Sequence, residues 1–165
     1  MKALLARHFQ HAAWADARLV DLLNAHAAAR QPRVLELFAH VLGAERVWLL
    51  RLRGGDSAVQ PVWPRWTLEE LNAFAAGNAV GYQRFIDGLS DDDLAREVAY
   101  TNTRGEAFRT PVADVLSHVA LHGSYHRGQI AAAVRAAGGE PVNTDFITWV
   151  RLGSPVAPVV PTWGA

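Results

Sequence analysis

Cysteine is absent from the 165-residue chain. Its absence excludes disulfides, thiolate zinc sites, iron–sulfur clusters and a cysteine nucleophile. An excess of one charge is also lacking, since 16 basic residues balance 16 acidic residues and the formal net charge is zero. A neutral chain does not carry the positive field typical of nucleic-acid-binding proteins, so no nucleic-acid partner is expected.

Long apolar runs are missing as well. Stretches such as Ile130 to Val134 are far shorter than the roughly 20 apolar residues that span a bilayer. The N-terminus lacks the apolar core of a signal peptide. The sequence therefore predicts a cytoplasmic protein without a membrane partner. Half of its residues are hydrophobic and 19% are charged, which is a globular composition, and the length fits one domain.

Four long segments show the three- and four-residue spacing of apolar side chains that is typical of amphipathic helices. They run from about Ala3 to Ala29, Pro32 to Arg53, Thr67 to Gly88, and Thr110 to Ala137. Thr67 and Glu70 are close to a capping box, and Pro32 and Pro111 suit the first helical position. The inner face of the third helix is predicted from its apolar residues: Leu71, Phe74, Val80, Phe85 and Leu89. A further short helix is predicted near Asp145 to Arg151.

The connections between the helices hold other signals. Asp56 to Trp66 contains two tryptophans and two prolines, and we expect its aromatic rings to pack on the helices. From Glu97 to Thr110, β-forming residues flank a polar cluster that ends at Gly105, which predicts a small hairpin lying against the bundle. The predicted fold class is all-α, a four-helix bundle with a small β-hairpin before the last long helix.

The C-terminal residues have a different composition. We assign residues 1–153 to the bundle and residues 154–165 to a proline-containing tail. Pro155, Pro158 and Pro161 are three apart, which favours an extended chain. A tail laid along the domain is favoured over a docking motif for a partner.

Three histidines stand four residues apart on the last long helix. His118, His122 and His126 lie on one stripe with Val115 and Ile130, so we expect the stripe to face the core. Two histidines at this spacing can bind one ion. Because the first and third are about 12 Å apart along the helix axis, the spacing leaves two candidate pairs, His118 with His122 or His122 with His126.

A third ligand has to come from another helix, and His40 on the edge of the inward stripe of the second helix is the best candidate. Three imidazoles suit zinc, nickel, copper or ferrous iron and leave a coordination position open. Glu36 and Asp114 each precede a histidine by four residues and could orient it, although the favoured interpretation is a solvated carboxylate. His8, His11 and His26 are explained by packing or by solvent exposure.

Two hydrolytic mechanisms fit the sequence poorly. The zinc-protease motif places a general-base glutamate directly after its first histidine, but here Gly123 follows His122. Ser117 and Ser124 lie near the histidines without the Gly-x-Ser-x-Gly elbow or an oxyanion hole of a serine hydrolase.

Four stretches together resemble the DinB family, damage-inducible metalloenzymes of bacteria within the wider DinB/YfiT-like superfamily. The matching stretches are residues 9–16, 38–49, 99–105 and 118–130. The resemblance implies a four-helix bundle, often homodimeric, with a divalent metal held by three histidines. Carried over to this chain, those ligands are His40, His122 and His126, and His118 is a neighbour of the site.

The resemblance also implies a range of activities, because relatives in the superfamily are thiol transferases and isomerases. We therefore predict a divalent-metal-dependent enzyme, a transferase, isomerase or hydrolase, that activates a low-molecular-weight thiol or a water for a small-molecule substrate. Zinc or nickel is the expected ion, with iron or manganese as alternatives, and a homodimer is expected. Tyr125, Arg127 and Gln129 are candidates for orienting groups. The alternatives are a non-catalytic metal-binding or stress-response protein, and a metal-free helical bundle.

Overall fold

The computed structural model describes residues 1–157 and confirms the predicted fold class. The four long helices are α1 (Lys2–Ala25), α2 (Pro32–Leu52), α3 (Leu68–Asp87) and α4 (Val112–Ala136). An antiparallel hairpin of β1 (Glu97–Thr101) and β2 (Ala107–Pro111) precedes α4, and a short helix, α5 (Phe146–Arg151), follows it. Single 3-10 turns lie at Ala27–Ala29 and Asp92–Ala95.

The four long helices pack so that α3 and α4 each contact both α1 and α2, which places α1 and α2 on one diagonal of the bundle. The apolar core has two large parts and a small third cluster of Trp14, Ala15 and Trp149. One large part surrounds Leu49 and Leu116 at the end that carries the hairpin, and the other surrounds Phe38 and Ile130 at the opposite end. This arrangement sets α2 beside α4 along most of their length, so that the histidines of the two helices can meet.

The predicted start signals are confirmed at α2 and α3 and are wrong at α4. Pro32 is the first residue of α2. At α3 the Thr67 N–H donates to Glu70 Oε2 at 2.7 Å, and the Glu70 N–H donates to Thr67 Oγ1 at 3.2 Å, which completes the capping box. At α4, Pro111 instead pairs with Glu97 in the hairpin ladder, so the strand continues to Pro111 and the helix begins at Val112.

The first helix is shorter than predicted. It ends at Ala25, because the backbone of His26 is extended and a 3-10 turn follows. The Arg30 side chain donates to the carbonyl oxygens of Leu23 at 2.7 Å and Asn24 at 2.9 Å. A side chain thus satisfies carbonyl groups that a continuing helix would otherwise use.

The predicted inner face of α3 is only partly right. Leu71 and Leu89 are buried, but Phe74, Val80 and Phe85 are half-buried. The remaining buried residues of α3 are Asn78, Gly81, Tyr82 and Ile86. A Cβ atom at Gly81 would lie 2.5 Å from Leu49 Cδ2. Because Gly81 has no side chain, α3 approaches α2 more closely there than it could with an apolar side chain at this position.

The hairpin forms where the sequence predicted it. Its turn is organised by Asn102, whose Oδ1 accepts from the N–H groups of Arg104 at 2.9 Å and Glu106 at 3.0 Å. Gly105 has a φ of +83°, a conformation that favours glycine. Val98 is buried against the bundle and anchors the hairpin there.

No helix within residues 1–157 combines the length and the apolar character that a membrane crossing requires. Pro155 lies within the described part of the chain, where its carbonyl oxygen accepts from Trp149 Nε1 at 3.0 Å. Pro158 and Pro161 lie outside the described residues. The extended tail and the boundary at residue 153 therefore stay predictions.

Candidate metal centre

Histidines from two helices meet on one side of the bundle. His40 of α2 and His122 and His126 of α4 each offer a ring nitrogen, and these three nitrogens lie within 4.8 Å of one another. His40 is buried, and the other two side chains are half-buried. Three imidazoles this close together could hold a divalent metal ion.

Hydrogen bonds orient two of the three rings. His40 Nδ1–H donates to the Val62 carbonyl oxygen at 2.9 Å, and His126 Nδ1–H donates to Gln129 Oε1 at 2.8 Å. With Nδ1 protonated, the lone pair of each ring lies on Nε2, as in many metal-binding histidines. Gln129 is thus the one of the three predicted orienting candidates that contacts a site histidine through a hydrogen bond.

The two carboxylates considered as orienting groups do not act as such. Glu36 is exposed and pairs with Arg33 at 2.7 Å. Asp114 is exposed on the first turn of α4, and within the described residues it forms no hydrogen bond with His118. The acceptors are a backbone carbonyl and an amide side chain, and the loop between α2 and α3 supplies the carbonyl.

That loop also covers His40. The Trp63 ring stacks on the His40 ring with centroids 3.7 Å apart and planes 9° from parallel. Trp66 stacks on Phe74 in the same manner, with centroids 3.8 Å apart. The prediction that the loop aromatics pack on the helices is therefore confirmed, and Trp63 shields one face of a site ring from water.

Burial favours the neutral form of two of the site rings, His40 and His122. It lowers the pKa of His40, and it lowers the pKa of His122 to about 4, with the neighbouring rings adding to the effect on His122. A neutral imidazole is the form that binds a metal ion, so these rings do not have to lose a proton at neutral pH.

The other histidines lie outside this cluster. His118 is exposed, which corrects the expectation that the whole stripe faces the core; its ring lies 5.5 Å from that of His122. His11 is buried and donates from Nε2 to the Thr144 carbonyl oxygen at 2.8 Å. His8 packs edge-on against Phe146, and His26 is exposed. Packing and exposure explain these three side chains, as expected.

Sequence reasoning missed a buried polar cluster in the interior of the bundle. Arg127 of α4 is 2% exposed, and its Nη1 donates to Asp16 Oδ1 of α1 at 3.1 Å. Glu45 of α2 is also buried, and Asn78 of α3 donates from Nδ2 to Glu45 Oε2 at 3.1 Å. Every long helix thus contributes one side chain to a polar layer between the two large parts of the apolar core.

Gly123 makes room for this layer. A Cβ atom at Gly123 would lie 2.9 Å from Arg127 Nη1, because the arginine side chain folds back over the preceding turn of its own helix. Glycine therefore stands after His122 for a packing reason. The same position in a zinc protease carries the general base.

The polar layer contains two carboxyl groups and one guanidinium. Burial raises the pKa of Glu45 well above its usual range, and the nearby Asp16 carboxylate raises it further. Asp16 holds the ion pair with Arg127, so a protonated Glu45 leaves the layer neutral overall. A buried ion pair with a neutral acid beside it is far less costly than two buried anions.

Glu45→Gln is expected to stabilise the protein relative to wild type at pH 8 and to change its stability little at pH 5. The folded-state pKa of Glu45 is raised above its ordinary value of 4.5. Below that pH, Glu45 therefore makes its full contribution to the free energy of unfolding. That contribution is lost as the pH rises toward the folded-state pKa, because the unfolded chain releases the proton and the folded chain does not. Glutamine is neutral in both states. Urea unfolding at both pH values measures the difference.

The matched control is Glu36→Gln, since Glu36 is an exposed glutamate on the same helix. Its effect on the unfolding free energy should not rise between pH 5 and pH 8. An advantage of Glu45→Gln that does not grow over this interval would contradict the assignment of a protonated Glu45.

An all-α bundle with a hairpin before its last long helix, and with histidines of two helices brought together, defines a helical-bundle protein able to hold a metal ion on three imidazoles. The model of the DinB family matches residues 2–152, and the chain belongs to the DinB family, as the sequence predicted. Protein DinB of Bacillus subtilis (strain 168) is 36% identical over 65 residues. That match covers 39% of this chain and 38% of the relative, so the chain spans well under half the length of the curated relative.

Proposed function

We propose that the chain is a divalent-metal-dependent enzyme that uses His40, His122 and His126 to hold an ion and acts on a low-molecular-weight thiol. The observation that carries the proposal is the approach of three ring nitrogens to within 4.8 Å of one another. Structural zinc sites are normally closed by four protein ligands, so a three-histidine set suits a catalytic site with an open position. Zinc or nickel fits this donor set best, with iron or manganese as alternatives.

The side chains around the cluster support this role. Val62 and Gln129 fix the orientation of His40 and His126, and Trp63 keeps water from one side of His40. A divalent ion bound there would lower the pKa of a thiol or a water in the open position and so favour its nucleophilic form. Gly123 offers no general base, and an ionised thiol attacks without one. For this reason a thiol is favoured over water as the nucleophile.

The experiment is a transfer assay on the zinc-loaded protein, with a panel of small thiols and a chromogenic electrophile such as 1-chloro-2,4-dinitrobenzene. We expect thiol-dependent turnover that is lost on chelation and in His126→Ala. His118→Ala is the matched control and should keep the activity, because His118 lies on the same helix outside the cluster. A rate no higher than that of the uncatalysed reaction for every thiol would contradict the proposal.

A further inference from the structure

The surface of the candidate metal centre continues toward the hairpin. The His118 ring lies 5.5 Å from that of His122 and 5.3 Å from that of Trp48, and the Trp48 ring lies 4.9 Å from that of Tyr100. Beside these rings is a cleft of about 620 Å³ between the C-terminal half of α2, the loop after it and β1. We name it the hairpin cleft; Val47, Arg51, Val62, Tyr100 and Thr101 are among its lining residues.

The hairpin cleft and the metal centre share Val62. Its carbonyl oxygen accepts from His40, and the residue also lines the cleft. His40 and Arg51 are eleven residues apart on α2, which places them on the same face of the helix and about 16 Å apart along its axis. A molecule that reaches from one to the other must therefore be elongated.

The groups that contact the Arg51 side chain in this cleft are neutral. Its guanidinium carbon lies 4.6 Å from the centre of the Trp48 ring and 4.7 Å from that of Tyr100. Nε donates to Ser57 Oγ at 3.1 Å, and Nη2 donates to the Thr101 carbonyl oxygen at 2.9 Å. Within residues 1–157, Nη1 donates to no protein group, so the guanidinium keeps a donor for a ligand.

The charge of Arg51 is not balanced by the described residues. No carboxylate oxygen of residues 1–157 lies within 4.0 Å of it. Asp56 also lines the cleft, but it accepts from the Ala58 N–H at 2.8 Å. Burial lowers the pKa of the Arg51 guanidinium, as expected of a cation that has lost water without gaining a counter-ion. A bound anion would recover that desolvation cost.

The geometry points to the hairpin cleft as the site for the carboxylate end of an elongated thiol substrate, with Arg51 as the carboxylate-binding residue. A single cation beside an acidic residue favours a monoanionic carboxylate over a dianionic phosphate. This inference rests on the proposed function for the thiol end only. The carboxylate end is recognised by Arg51 whether or not a metal is present.

The test compares mercaptocarboxylic acids of increasing chain length with the amides of the same length. Cobalt(II) replaces the native ion, because a thiolate bound to cobalt gives a charge-transfer absorption band. Calorimetric titration of the cobalt-loaded and metal-free proteins gives the affinities. In wild type, the longer acids should bind at least about tenfold more tightly than their amides, the range expected for a hydrogen bond to a charged group.

Arg51→Gln should abolish the preference for acid over amide, and Arg51→Lys should restore part of it. Arg46→Gln is the matched control, since Arg46 lies five residues earlier and roughly 140° around the same helix. It should leave the preference unchanged. Acids and amides that bind equally well at every length, or a preference that survives Arg51→Gln, would overturn the assignment.

The two readouts separate this inference from the proposed function. An absorption band without a preference for the acid supports thiol binding at the cluster and overturns the carboxylate site. An Arg51-dependent preference without a band supports the carboxylate site and contradicts the proposed thiol chemistry.

Discussion

Arg127→Met is expected to lower the free energy of unfolding by about 3–5 kcal/mol at pH 7, the usual cost of removing one partner from a buried ion pair. The variant removes the cation from the layer that also holds Asp16 and Glu45, all of them buried. Two desolvated carboxyl groups then remain without a positive charge. Chemical denaturation followed by circular dichroism measures the loss.

The loss should depend on pH in a defined direction. Burial already raises the folded-state pKa of Asp16, and loss of the guanidinium, which opposes that shift, raises it further. The folded variant therefore holds a proton that the unfolded chain releases at neutral pH. The deficit of Arg127→Met should therefore grow as the pH rises from 4 to 7. The expected loss of stability does not depend on a bound metal ion, because neither carboxyl group belongs to the histidine cluster.

Arg135→Met is the matched control, because Arg135 is an exposed arginine on the same helix. Its effect should stay within about 0.5 kcal/mol, as is usual for surface substitutions. Replacing Asp16 with leucine in the Arg127→Met background should recover much of the stability, since apolar pairs replace buried ion pairs at little or no cost. An Arg127→Met protein as stable as Arg135→Met would show that the ion pair does not hold the layer together.

His40→Ala and His126→Ala are each expected to weaken zinc binding by more than about 100-fold. Loss of a group that merely orients a ligand typically costs 10–100-fold in metal affinity, and loss of the ligand itself should cost more. Gln129→Met should give the smaller, 10–100-fold effect, because it removes only the acceptor of the His126 Nδ1–H. Competition with a chromophoric chelator measures all three affinities.

His118→Ala distinguishes between the two candidate histidine pairs that the helical spacing allows, His118 with His122 and His122 with His126. The His118 ring is exposed and stands outside the group of nitrogens within 4.8 Å of one another. Zinc affinity should therefore change by no more than a few fold. A large loss in His118→Ala together with an unchanged affinity in His126→Ala would mean that the ion sits between His118 and His122, contrary to our assignment.

The parts of the fold that are predictable from the sequence are those set by local signals. The capping box at Thr67 and Glu70, Pro32 at the start of α2, and the turn from Asn102 to Gly105 each depend on a few neighbouring residues, and each forms as predicted. The start of α4 does not, because the ladder pairing of Pro111 with a residue 14 positions away decides where the strand ends.

The sequence does contain a signal for the polar layer, namely charged residues on apolar stripes. Asp16 lies in the apolar stripe of α1, four residues after Ala12 and three before Leu19, and Glu45 lies in that of α2. A charged residue on a buried stripe indicates an internal partner. The identity of that partner could not be predicted, because it depends on how the four helices are arranged around one another.

The same limit applies to the metal centre. Spacing alone identifies histidine pairs on α4, and only the packing of α2 against α4 brings His40 to His122 and His126. Trp63 and the Val62 carbonyl oxygen belong to an irregular loop, and their positions over His40 have no sequence signature. The family resemblance supplied the choice of pair that the spacing could not.

We propose that His40, His122 and His126 together hold one metal ion. The most direct test is the metal content of untagged protein, purified without nickel resin and measured by mass spectrometry, for wild type and His122→Ala. We expect about one divalent ion per chain in wild type and its loss in the variant. A metal-free wild type that takes up neither added zinc nor added nickel would contradict the assignment of these three ligands.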